Sequence, residues 1–278
     1  MASISTADIK KLREATGAGM VDCKNALAEN DGDYDKVVEY LRIKGLKGVA
    51  KREGRAASNG LVTVKADGTG KATLLELNCE TDFVAKGERF IALAEQVVAA
   101  ASAVSANEPK DIVVDGKDLQ TVLDDANAML GEKIEVRRVA TLEGAYVGVY
   151  LHKTNPDLPP QLGVLVELDK NIDEVSPSIA KDVAQHIAAF APQFTNRDEV
   201  SEEAVAKERE IARATALEEG KPEAALDKIV EGRVTGFFKE AVLVEQAFAK
   251  DNKKTVGKVL DEAGVGVVRF ARFKVGQA

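Results

Sequence analysis

The sequence has no tryptophan, two histidines, two cysteines and seven prolines. Each scarcity removes a class of function. The histidines, His152 and His186, stand in no metal-ligand spacing and beside no plausible nucleophile, so hydrolytic and metal chemistry have few groups to work with. Cys23 and Cys79 form no CxxC pair and fall in different segments; reduced, buried thiols are expected. No apolar run reaches the roughly 18 residues a membrane span needs, and Met1 to Ala7 lacks the apolar centre of a signal peptide. Positive charge is short as well. A net charge of −8 argues against a protein that tracks a phosphate backbone, while leaving room for a local basic patch. The expectation is a cytoplasmic protein with no metal, no cofactor, no membrane contact and no direct nucleic-acid contact.

What is present is a chain of 278 residues, 45% hydrophobic, long enough for two domains or for one with an appendage. Residues 1–44 read as three short helices. Ser5 can cap the first, Gly17-Ala18-Gly19 ends it, Met20, Cys23 and Leu27 share a stripe on the second, and Asp33 can cap the third. So short a unit makes a marginal core and is expected to rest on something or bind something. Residues 45–59 turn Gly-rich and basic, with Lys47, Lys51, Arg52 and Arg55, and read as a solvated linker.

Beyond the linker the chain repeats itself. Gly60-Leu61-Val62-Thr63-Val64 is echoed by Gly144 to Val149, and Leu74-Leu75-Glu76-Leu77-Asn78 by Leu165-Val166-Glu167-Leu168-Asp169. The offsets are 84 and 91 residues, so the second copy has a connection seven residues longer, Leu151 to Leu162, which carries His152. Each copy runs into an amphipathic helix, from Glu88 in the first and from Ser176-Pro177 in the second, with Pro at the first helical position. The first copy is assigned 60–141; toward its end, between the repeated hairpins, Asp118 to Leu130 reads as a helix and Lys133 to Ala140 as a strand leading into the second copy. The second is assigned 142–198 and 245–278, and it ends in a strand whose Arg269, Arg272 and Lys274 suit a sheet edge. Between its two parts, 199–244 reads as an antiparallel helical hairpin reversed at Gly220-Lys221-Pro222, with Val205, Ile211 and Ala212 as apolar positions of one arm and Leu226, Ile229, Val230, Val234 and Phe237 of the other. The fold class is α+β: a three-helix module, then a duplicated core with an inserted hairpin.

The stretch Glu76 to Lys86 joins the first copy's buried strand to its helix, and Thr81 or Asp82 can cap there. Phe83 is open to two readings, a side chain tucked into the core or an exposed Asp-Phe wedge for a partner. The second copy has Lys170-Asn171-Ile172-Asp173-Glu174-Val175 at its junction, with no Asp-Phe pair, so the fold does not need one.

Two stretches carry a family resemblance. Leu12-Arg13-Glu14-Ala15-Thr16-Gly17-Ala18-Gly19-Met20-Val21-Asp22-Cys23-Lys24-Asn25-Ala26-Leu27 resembles the N-terminal signature of bacterial translation elongation factor Ts, and Glu76 to Lys86 resembles that family's second signature. The resemblance implies a guanine-nucleotide exchange factor for elongation factor Tu, without bond chemistry of its own. It implies a ubiquitin-associated-like first module that docks on the GTPase domain through Arg13, Gly17, Ala18, Gly19 and Met20. It further implies that Thr81, Asp82, Phe83 and Val84 disturb the partner's magnesium and phosphate site, and that His152 in the second copy touches another domain of the partner. The chain stops soon after Val275, so the extra C-terminal helix of longer members is not expected. Dimerisation is compatible with this reading. Its rival is a passive scaffold that binds a partner without changing nucleotide release.

Overall fold

A computed structural model describes residues 5–277, apart from the side chains of Leu46, Lys47 and Ala50. Met1 to Ile4, part of the stretch read for a signal peptide, and the charge of Lys47 lie outside the described residues. Three helices come first: α1 (Thr6–Thr16), α2 (Met20–Glu29) and α3 (Tyr34–Arg52). Next are β1 (Asn59–Ala66), β2 (Lys71–Cys79), α4 (Asp82–Ala85), α5 (Glu88–Ala103), the small hairpin β3 (Val113–Val114) and β4 (Lys117–Asp118), α6 (Leu119–Leu130) and β5 (Glu135–Glu143). The second series is β6 (Tyr146–His152), β7 (Leu162–Leu168), α7 (Val175–Phe190), α8 (Glu202–Glu218), α9 (Leu226–Ala241), β8 (Ala247–Phe248), β9 (Asp251–Thr255), α10 (Val256–Ala263) and β10 (Val267–Lys274).

Two three-stranded antiparallel sheets, ordered β1-β2-β5 and β10-β7-β6, pack face to face with helices on their outer sides, an α+β fold. The central strands explain why both runs are mostly hydrophobic, with no alternation of apolar and polar residues. On β2, Leu75, Leu77 and Cys79 point at Phe90, Ala94 and Val97 of α5, while Ala72 and Leu74 point at the other sheet. On β7, Val164, Val166 and Leu168 meet Ile179, Val183 and Ile187 of α7, while Leu165 points inward to meet Val62 and Leu74. A strand buried on both faces has no polar side to alternate with. Each of these fully buried leucines contributes about 1.5–3 kcal/mol.

The duplication extends further than the repeated hairpins. Each central strand pairs on its other side with a third strand, β5 in one sheet and β10 in the other. The register matches Glu76 with Arg138 and Glu167 with Arg269, beside an irregularity in each ladder. The segment 133–140, expected to lead into the second copy, is instead an outer strand of the first sheet. The C-terminal strand is a sheet edge, as its charges indicate.

Several expectations are corrected. The linker over 45–59 begins later, because α3 continues to Arg52 and lies along α6. A Cβ at Gly45 would sit 2.8 Å from Ala128 Cβ, so this glycine serves close helix packing and not flexibility. Arg42 adds a bidentate pair with Asp125 at 2.8 and 2.9 Å, and Arg52 Nη2 donates to Asn127 O at 2.9 Å. Met20 does not join the buried stripe of α2. It is the first residue of the helix and stands 53% exposed, while Cys23, Ala26 and Leu27 fill the small core with Leu12 and Val37. Helix α7 starts at Val175, which puts Pro177 third in the helix, where its missing N–H is still an orphan. Ile211 is exposed on α8, and the seam of the hairpin is Ala212 against Val230 and Val234. Arg209–Glu231 and Arg233–Glu219 pairs border that seam at 3.0 and 2.7 Å. The feet of the hairpin are tied together where Gln193 and Phe194 donate to Ala241 O and Leu243 donates back to Phe194 O.

Candidate functional site

Where β2 ends, at Cys79, the chain turns sharply and starts the one-turn helix α4. Thr81 is its N-cap, and its Oγ1 accepts from Val84 N–H at 3.4 Å. Val84 leans on the core beneath, and Ala85 is buried. Asp82 and Phe83, the two residues between the cap and this anchor, are left facing outward. Phe83 is 75% exposed, with Lys86 Nζ 4.8 Å from its ring centroid. Of the two readings of Phe83, the exposed one is what the structure contains.

The turn is stiffened from several sides. Glu132, just past α6, accepts from Glu80 N–H and Thr81 N–H at 3.0 Å each, and from Thr81 Oγ1 at 2.5 Å. Glu80 accepts from Lys133 N–H at 2.7 Å and pairs with Arg55 at 3.3 Å. Asn59 Nδ2 donates to Glu80 O at 2.8 Å. Cys79 lies under the turn and donates to Thr81 O at 3.2 Å. Its thiol is pushed up to about 12, chiefly by burial and then by the charge of Glu132. Such a thiol is a poor nucleophile. Glu132 gives no local sequence signal: it stands 51 residues from Thr81, and only the pairing of β2 with β5 brings it there.

The α1–α2 junction lies alongside. Gly17 takes φ 70° and donates to Arg13 O at 2.8 Å, and a Cβ there would come within 2.1 Å of Met129 O. The left-handed backbone and the end of α6 therefore both require glycine here. Ala18 packs inward, and its carbonyl accepts from Cys23 Sγ at 3.6 Å. Arg13, Gly19, Met20 and Val21 are exposed on the other side. Arg89, in the first turn of α5, donates to Glu14 O at 2.5 Å and so joins this junction to the segment that follows the Phe83 turn. Beside the Glu14–Arg89 contact, between α5 and α6, runs an open groove lined by Leu93, Val122, Ala126, Met129 and Leu130. Helical periodicity alone places Val122, Ala126 and Leu130 in the core, and the structure leaves them partly uncovered.

His152 closes β6 and is exposed, with its Nδ1 3.0 Å from the Tyr150 hydroxyl. It belongs to the same end of the two-sheet scaffold as the Phe83 turn. Gln161 N–H donates to His152 O, Val275 N–H donates to Gln161 O, and Gly276 lies against Ser58 O, next to the Asn59–Cys79 pair. The structure thus brings all three sets of expected site residues to one end, on separate elements. Among the described residues no group of three or more His, Cys, Asp or Glu could hold a metal ion, and no helix is long and apolar enough to cross a membrane.

Comparison with known proteins identifies the family. Residues 80–277 match the family described as elongation factor TS. The elongation factor Ts of Acidothermus cellulolyticus is 60% identical over the whole of both chains, and that of Thermobifida fusca 57% identical, again over the whole of both. The Streptomyces griseus protein of the same name is 58% identical over 99% of this chain and all of its own. These likenesses place the chain in the class of translation elongation factors. Within that class, it belongs to the elongation factor Ts family.

Proposed function

We propose that the chain is a cytoplasmic guanine-nucleotide exchange factor whose partner is elongation factor Tu. Nucleotide and magnesium hold each other in a GTPase because the ion bridges phosphate oxygens and hydroxyl ligands. A protein that binds the empty GTPase better than the loaded one weakens nucleotide by the same factor, through linkage and with no bond chemistry. Phe83 supplies apolar displacement near that ion, Asp82 an opposing charge, and Thr81 and Val84 their footing. Arg13, Gly19 and Met20 dock the first module on the GTPase domain, with Gly17 and Ala18 shaping the loop between them. His152 meets a second domain of the partner.

The observation that carries this reading is Phe83, a large apolar side chain held three-quarters exposed on a braced turn. An exposed aromatic on a rigid support is the kind of group that anchors interfaces. Burying a phenylalanine contributes about 1.5–3 kcal/mol, and each tenfold in affinity is about 1.4 kcal/mol. Phe83→Ala is therefore expected to slow stimulated release of a fluorescent GDP from elongation factor Tu by about one to two decades, and Asp82→Ala to slow it less. Release rates equal to wild type, at matched thermal stability, overturn the wedge. Binding with no acceleration of release by the wild-type chain overturns exchange altogether.

A further inference from the structure

The geometry points to Glu132 as the residue that positions the Phe83 turn, an inference that rests on the exchange reading above. Helix α4 has four residues, too few to hold its own conformation, so the direction of Phe83 has to be set from outside. Glu132 sets it. One carboxylate oxygen takes the N–H groups of Glu80 and Thr81, and the other takes the Thr81 hydroxyl. Because that hydroxyl gives its proton to Glu132, its lone pairs are turned toward Val84 N–H, which starts α4. The clasp is mutual, since Glu80 Oε1 accepts from Lys133 N–H at 2.7 Å. Hydrogen bonds to an ionised acceptor are about twice as strong as neutral ones.

The second copy shows what a junction without a wedge does. There Ile172 N–H donates to Ser176 Oγ at 2.8 Å, and Ser176 Oγ donates to Lys170 O at 3.1 Å. Asp169 at the strand end accepts from Gly266 N–H at 2.6 Å, as Glu80 does from Lys133, but among the described residues no carboxylate reaches back from the start of β10 to the turn. The acidic clasp from a distant strand start occurs in the copy that bears Asp82 and Phe83. Glu132 spends both oxygens on the turn, so it is a positioning residue and not a contact to the reacting ion.

The test uses the full chain with Glu132→Ala and Glu132→Gln, in the GDP-release assay and in hydrogen exchange of the free protein. In Glu132→Ala the amides of residues 80–86 lose protection while β2 and α5 keep theirs. Maximal stimulated release falls about tenfold, because donors that had a charged acceptor are left without one. The concentration for half-maximal effect changes less than the maximal rate, since the docking residues are untouched. Glu132→Gln, which keeps one carbonyl acceptor, recovers part of both signals. If Glu132→Ala melts the whole chain, Glu132→Gln carries the test with the same direction and a smaller size. Wild-type release and wild-type protection in both variants overturn the inference. If Phe83→Ala slows release and the Glu132 variants do not, the positioning role falls while exchange stands. If even the wild-type chain fails to release GDP, the exchange reading falls, and unchanged protection at 80–86 overturns the clasp independently.

Discussion

At the scale of single residues, side chains that look alike in the sequence meet opposite fates. His152 and His186 both lack a visible partner in the sequence, yet His186 is fully buried. Its Nδ1 accepts from Ala249 N–H at 3.1 Å and its Nε2 lies 2.7 Å from Gln246 Oε1. With Nδ1 occupied as an acceptor, the proton sits on Nε2 and the ring is neutral. Phe190 and Phe248 stack on it at 4.7 and 5.9 Å between centroids. Burial holds its pKa below the ordinary 6.5. Since the unfolded chain takes up that proton first, the unfolded state binds more protons just below pH 6.5, and stability falls as pH falls. The contribution is complete above 6.5, declines through the window beneath it, and stops changing once the folded ring is also protonated. Urea unfolding at about pH 7.5 and about pH 5 should therefore show a loss at the lower pH that shrinks in His186→Gln. An equal loss in both proteins removes His186 as its source. Phe83 was legible as one of two readings, because its neighbours allow either a cap with a buried ring or a wedge. What decides it is that Val84 and Ala85, not Phe83, fall on the inward side of α4.

At the scale of elements, the sequence marked most helices and central strands within a residue or two, because hydrophobic period and caps are local signals. Ser5 accepting from Asp8 N–H and Asp33 accepting from Lys36 N–H are such caps. It missed the second half of α3, because Gly45 and Gly48 in a basic stretch also describe a linker. The reason for glycine at position 45 lies in another element, the surface of α6. The same helix receives Gly17 at Met129, Arg42 at Asp125 and Arg52 at Asn127, and the Glu132 clasp follows it directly. Helix α6 therefore seats the first module on one side while its trailing turn holds the Phe83 junction. Gly45→Leu should force α3 away from α6, since even a single carbon at Cβ comes within 2.8 Å of Ala128. Hydrogen exchange across 40–52 is expected to rise, at little cost to the melting of the two-sheet core. Arg42→Ala alone should cost under about 1 kcal/mol, because that pair is partly solvated. Unchanged exchange over 40–52 in Gly45→Leu would mean that the two helices do not rely on this contact.

At the scale of the whole molecule, the duplication predicts where the scaffold is most sensitive. Both sheets place a glutamate on their facing surfaces, but the two are not equally sealed. Glu76 has a side chain 0% exposed; Arg138 reaches it at 2.5 Å, donates to Lys274 O at 3.1 Å and lies 4.8 Å from the Phe273 ring centroid, so it binds one sheet to the other. Glu167 keeps a little exposure, and its Arg269 is 54% exposed at the sheet edge. Removing the arginine from a sealed pair leaves a buried charge without compensation, whereas removing it from an open pair lets water take its place. Arg138→Ala is thus expected to lower unfolding free energy by about 3 kcal/mol, the lower end of the range for a broken buried pair. Arg269→Ala should lower it by about 1 kcal/mol or less. The double replacement Glu76→Leu with Arg138→Leu should cost less than Arg138→Ala, because it removes the stranded charge along with its partner. Denaturant unfolding of the wild type and these three variants checks this ordering. Equal losses for Arg138→Ala and Arg269→Ala would show that the repeated pair does the same work in both copies, and that the seam between the sheets does not depend on Arg138.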